Sequence, residues 1–101
     1  MNEIVKAELW VNKMPVDLNA FTEEFLARTV LGAVSTLRGA DNIKNLELLL
    51  DKGELSIIVN NNDIPLTPFP TEIITAMVVG LVSSLKGVDK IDSLKVAAQV
   101  G

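Results

Sequence analysis

Apolar and polar residues alternate through Val5-Lys6-Ala7-Glu8-Leu9-Trp10-Val11, so Val5, Ala7, Leu9 and Val11 share one face of a strand. Ile4, Lys6, Glu8 and Trp10 share the other. The same period of two places Leu46, Leu48 and Leu50 inward, then Leu55, Ile57 and Val59, then Leu94, Val96 and Ala98. Between these strands the sequence carries helix signals. Asn19 and Thr67 stand where an N-cap oxygen accepts an orphan amide, and Pro68 suits the first helical position. Glu23, Glu24 and Glu72 fall in the first turns and Arg38 and Lys86 in the last, as the helix dipole favours. Gly39 and Gly87 then end the helices in left-handed geometry.

Asn12-Lys13-Met14-Pro15 and Asn60-Asn61-Asn62-Asp63 read as turns, because Asn and Asp tolerate left-handed backbone. Val16-Asp17-Leu18 and Ile64-Pro65-Leu66 are expected to fold back as short strand arms, Pro65 marking a sheet edge. Asp51-Lys52-Gly53-Glu54 reads as a hairpin turn.

The chain also repeats itself. A shift of 48 positions places Val11 on Val59, Asn12 on Asn60, Phe21 on Phe69, Gly32 on Gly80, Gly39 on Gly87 and Asp41 on Asp89, without a gap. The shared Gly-x-Val-Ser and Leu-basic-Gly-x-Asp-x-Ile strings go beyond a common rhythm and point to internal duplication, with repeats at 5–50 and 53–98 of one domain spanning 1–101. Two copies are too few for a solenoid; two halves about a pseudo-twofold axis fit better.

The order is then βαβ, hairpin, βαβ. Right-handed crossovers leave room for one strand between the two strands of each unit. Interleaving the units predicts an α+β sandwich: a four-stranded antiparallel sheet, two helices on one face and short β-arms after strands 1 and 3. This resembles the ferredoxin-like βαββαβ fold over most of the chain, and the resemblance implies no function.

Composition narrows the chemistry. The chain has 101 residues, 49% of them apolar, no Cys, His or Tyr, and a net charge of −4. Without Cys and His a cysteine nucleophile, the commonest general base and the commonest transition-metal ligand are missing, so no metal and no cofactor are expected. The acidic balance argues against nucleic acid. The Met1-Asn2-Glu3-Ile4 start has an early acid and no apolar run, unlike a signal peptide. The apolar stretch 73–85 is broken by Gly80, Ser83 and Ser84 and is too short for a span of about 20 residues, so a cytoplasmic protein without a membrane partner is expected.

Four features could carry function. Gly32 and Thr36, and Ala76, Gly80 and Ser84, form small-residue ridges expected to pack one helix on the other. Gly80→Leu should then overpack the fold by roughly 1–3 kcal/mol. The open sheet face carries Trp10, Ile58, Leu49 and Ile4, an apolar set expected to be an interface. The Asn60-Asn61-Asn62-Asp63 run offers cation-type oxygens but lacks the spacing of a calcium loop, so it reads as a plain turn. Ser35-Thr36 and Ser83-Ser84 lie at the wrong helix end for phosphate and read as back-bonding residues. Asp41, Asp89, Lys44, Lys86 and Lys90 could do acid–base work only if buried, and no nucleophile, base and orienting group come together. The expectation is a non-enzymatic interaction module, a homodimer or a binder of another protein through the open sheet face. The alternative is a small-ligand-sensing regulatory domain with an unknown ligand.

Overall fold

The computed structural model describes residues 4–85, 87–88 and 90–101. The places expected for Met1, Asn2, Glu3, Lys86 and Asp89 lie outside the described residues. The elements run β1 (Val5–Val11), β2 (Met14–Val16), α1 (Ala20–Val34), β3 (Asn45–Asp51), β4 (Glu54–Val59), β5 (Asn62–Asp63), α2 (Pro68–Ser83) and β6 (Ser93–Val100).

All six strands join one antiparallel sheet in the order β2-β1-β6-β3-β4-β5. This overturns the four-stranded ferredoxin-like arrangement. That arrangement would place β1 and β4, the first strands of the two repeats, at the centre. Here the last strands, β3 and β6, are central instead. Right-handed crossovers permit either interleaving, since each leaves one strand inside each unit. The arms decide between them. A strand whose continuation folds back beside it has one flank taken and cannot be central. β2 occupies the outer flank of β1, and β5 that of β4, so the arm-bearing strands are pushed outward.

The arms form sooner than the sequence suggested. Asn12 and Lys13 both take positive φ, +51° and +69°, and Asn60 and Asn61 take +50° and +69°. Two consecutive left-handed residues make the tight turn whose twist matches paired strands, so each hairpin closes after two residues. Pro15 sits in β2, at the sheet edge, where a missing N–H does no harm.

Both helices are shorter than their glycine signals imply. They end at Val34 and Ser83, and Arg38 lies past the end of α1. Tight turns follow, with Leu37 N–H donating to Val34 O at 2.9 Å and Leu85 N–H to Val82 O at 3.1 Å. Gly39 and Gly87 then reverse the chain at φ +90° and +83°. At the helix starts the two N-cap expectations part. Asn19 Oδ1 accepts from Thr22 N–H at 2.8 Å, whereas the Thr67 side chain caps nothing. The position equivalent to Thr22 is Pro70, which has no N–H to give.

Every buried residue among those described is apolar. Leu26, Ala27, Val30 and Val34 of α1 and Ile74, Val78 and Val82 of α2 lie over Leu9, Leu46, Leu48, Ile57, Leu94 and Val96 of the sheet. Each fully buried aliphatic side chain contributes about 1.5–3 kcal/mol. The result is a two-layer slab, 34 × 34 × 19 Å.

On the central strand pair and at the two hairpins, positions 48 apart occupy matching places. On the central pair, Leu48 faces Val96, its own equivalent, while Leu46 faces Ala98 and Leu50 faces Leu94. A pseudo-twofold therefore passes between Leu48 and Val96. The asparagines that open the hairpins obey it. Asn12 Oδ1 accepts from Asp92 N–H at 2.7 Å and Ser93 N–H at 3.0 Å, and its Nδ2 donates to Lys90 O at 2.7 Å. Asn60 does the same to Lys44 N–H, Asn45 N–H and Asn42 O at 2.8, 3.0 and 3.0 Å. Each half thus clamps the loop that leads into the other half's last strand.

Candidate functional site

The sheet face opposite the helices is built from cross-strand rows. One row runs Pro15, Trp10, Lys95, Leu49, Ser56; the next runs Glu8, Ala97, Glu47, Ile58, Asp63. Lys95 stands between Trp10 and Leu49. Its Nζ lies 5.1 Å from the Trp10 ring centroid, within cation–π range, and 3.4 Å from Glu47 Oε1. Leu49 and Ile58 are diagonal neighbours on adjacent strands, but Trp10 is two strands away from Leu49. Ile4 lies beyond the rows, where its carbonyl accepts from Gly101 N–H at 3.0 Å. The structure therefore brings Leu49 and Ile58 together and separates them from Trp10 and Ile4. Two open depressions lie on this face, one of about 250 Å³ lined by Glu47, Ile58 and Ala97 among others, and one of about 340 Å³ lined by Ile4, Lys6 and Gln99 among others.

The small-residue ridges point the other way from expectation. Gly32 and Gly80 are exposed, and a Cβ added at either meets nothing within 4 Å. No close helix approach depends on them. The buried stripe of α1 runs through Leu26, Val30 and Val34, which turns Gly32 outward, and the equivalent stripe of α2 turns Gly80 outward. The overpacking expected for Gly80→Leu therefore has no neighbour to act on.

The same outward faces carry the side chains that sequence reasoning passed over. All three phenylalanines of the chain are exposed: Phe21 at 76%, Phe69 at 71% and Phe25 at 52%. Ile73, at 51%, is the equivalent of Phe25. Phe21 and Phe25 are four residues apart on α1, with ring centroids 5.9 Å apart. With Glu24, Arg28 and Thr29 they line a depression of about 430 Å³. Glu24 Oε2 accepts from Arg28 Nε at 2.9 Å along that face. On α2 the outward residues are Phe69, Glu72, Ile73, Ala76, Gly80 and Ser83, with Glu72 the only charge in the helix. The signal was present in the sequence as a second apolar stripe opposite the first. It is masked because α2 is apolar nearly all round, so no polar face marks which side is out.

The remaining candidates have local explanations. Asn60 Oδ1 is already taken by two backbone amides, so the turn it opens is a clamp and not a cation loop. Ser35, Thr36 and Ser84 hydroxyls donate to the carbonyls of Gly32, Ala33 and Gly80 at 2.7, 2.7 and 3.0 Å, the back-bonding expected of them. Asp41, Lys44 and Lys90 are exposed, and Lys90 pairs with Asp92 at 3.8 Å. Among the described residues no group of three His, Cys, Asp or Glu could hold a metal ion. No helix among them is long and apolar enough to cross a membrane. Comparison with family models, curated proteins and solved structures finds no match.

Proposed function

We propose that the protein is a non-catalytic interaction module and that the outward surface of its two helices is the surface that docks. The observation that carries this reading is the placement of all three phenylalanines in water, with Ile73 beside Phe69. Taking roughly 200 Å² for a whole phenylalanine side chain, the three rings leave about 400 Å² of apolar area exposed. Spread over Phe21 and Phe25 on α1 and Phe69 on α2, that area lies within the roughly 300–600 Å² of a typical monomer's largest apolar patch, which is often functional. The open sheet face is the weaker candidate, because Lys95 and Glu47 interrupt its apolar residues. Duplication of one βαβ unit belongs to the same reading. It is supported by the matched φ angles and clamps, and it explains why exposed apolar pairs recur at Phe21/Phe25 and Phe69/Ile73.

The reading is tested by unfolding in urea at a concentration too low for self-association. Phe21→Ser and Phe69→Ser should each change stability by less than about 0.5 kcal/mol, as exposed positions do. A loss above about 2 kcal/mol would mean that these rings hold the fold together, and the docking reading would fail.

A further inference from the structure

We infer that the docked partner is a second copy of this chain, seated α2 against α2 about a twofold near Ala76; this rests on the reading of the helix surface given above. α2 is 16 residues long with a single charge, Glu72. A helix apolar nearly all round leaves apolar side chains on its outward side as well as over the sheet. Its outward stripe is bulky at the start, with Phe69 and Ile73, and small at the end, with Gly80 and Ser83. Two such stripes laid antiparallel about Ala76 set Phe69 opposite Ser83 and Ile73 beside Gly80. Gly80 is an open floor for it, since nothing within 4 Å crowds that position. The surface is thus complementary to itself, which is what a twofold contact requires.

Charge and size are compatible with this occupant. In this arrangement Glu72 falls opposite Gly80 of the other copy. The two carboxylates are then about eight residues apart along the axis, roughly 12 Å, too far to meet. No like-charge contact opposes the pair. A lipid surface fits less well. α2 carries no base, and the chain carries a net charge of −4, whereas anionic leaflets attract basic segments. The face of the slab, 34 × 34 Å, does not limit a contact of the roughly 800 Å² that each partner gives to a standard interface.

The native chain has no cysteine, so single introduced thiols report on their surroundings cleanly. Sedimentation equilibrium of the wild type should give twice 10.9 kDa at micromolar concentration. Ala76→Cys should be joined to a second copy by a short bis-maleimide, and Ser56→Cys, on β4 of the sheet face, should not. Gly80→Arg puts a long side chain at a position where an added Cβ meets nothing within 4 Å, and it should raise the dissociation constant at least 100-fold while circular dichroism stays native. Phe69→Lys with Ile73→Lys should do the same while circular dichroism stays native. The inference is overturned by a wild type that stays monomeric to millimolar concentration, by a dimer that links through Ser56→Cys alone, or by an unchanged dissociation constant in Gly80→Arg. It is also overturned if monomeric protein floats with phosphatidylcholine–phosphatidylserine vesicles. If one of these occurs while Phe21→Ser and Phe69→Ser leave stability intact, the surface docks something else. If those variants unfold the protein, the docking reading itself falls.

Discussion

The two halves of the molecule agree where the backbone is constrained and differ where it is decorated. Residues 48 apart share hairpin angles to within a degree, and each asparagine clamp makes the same three bonds. At the helix starts they part. Asn19 caps α1, while Thr67 faces Pro70 and caps nothing. They also part at the sheet edges. Glu23 Oε2 accepts from Ala7 N–H at 3.1 Å, occupying a donor on the outer side of β1. The equivalents on the other side are Thr71 and Leu55, and the Thr71 hydroxyl donates to Thr67 O within its own helix instead. Positions that set the path of the chain tolerate little change, since a turn with two positive φ angles admits few residues. Caps and edge guards can be lost singly, because each contributes about 1 kcal/mol.

That comparison can be broken at several levels. The largest effects belong to the core. Leu46→Ala and Leu94→Ala, equivalent and both 1% exposed, should each lower stability by about 3 kcal/mol in urea unfolding. A gap of more than about 1.5 kcal/mol between them would show that the two halves do not share the core equally. Next come the clamps. Asn12→Ala and Asn60→Ala each remove three hydrogen bonds and put alanine at a positive φ, so losses near 2 kcal/mol are expected for both. The helix starts should then split the halves. Asn19→Ala should cost about 1 kcal/mol and Thr67→Ala close to nothing, read as melting temperatures under one condition. The smallest effect is at the edge. Glu23→Ala should cost about 0.5–1 kcal/mol and speed hydrogen exchange at the Ala7 amide. Unchanged exchange there would mean that the carboxylate does not guard the edge.

The strands and the turn residues were legible in the sequence because each leaves a local period or a residue of special geometry. Val5, Ala7, Leu9 and Val11 alternate, and β1 spans those residues. Strand order was not legible from that evidence, because the pairing of β1 with β6 joins residues nearly a chain length apart. A physical clue was nevertheless present. Once Asn12-Lys13 is recognised as a complete two-residue turn, the arm must occupy one flank of β1, and β1 cannot be central. The apolar residues of the open sheet were read correctly for face but not for neighbourhood. Register, not alternation, puts Lys95 between Trp10 and Leu49. The outward phenylalanines were hidden by the breadth of the apolar pattern on the helices, where the buried stripe competes with a second one of similar strength.

The strand order has a consequence for the chain cut in two. β3 pairs only with β4 and β6, and β1 pairs only with β2 and β6. A fragment ending in the turn at Lys52-Gly53 would keep one small hairpin, with a strand-wide vacancy between β1 and β3. Neither fragment is a smaller version of the whole. Each is a comb whose missing teeth are the other's strands. A nick in that turn should therefore leave two pieces held together by the interlocked sheet, and either piece alone should have no cooperative melting transition.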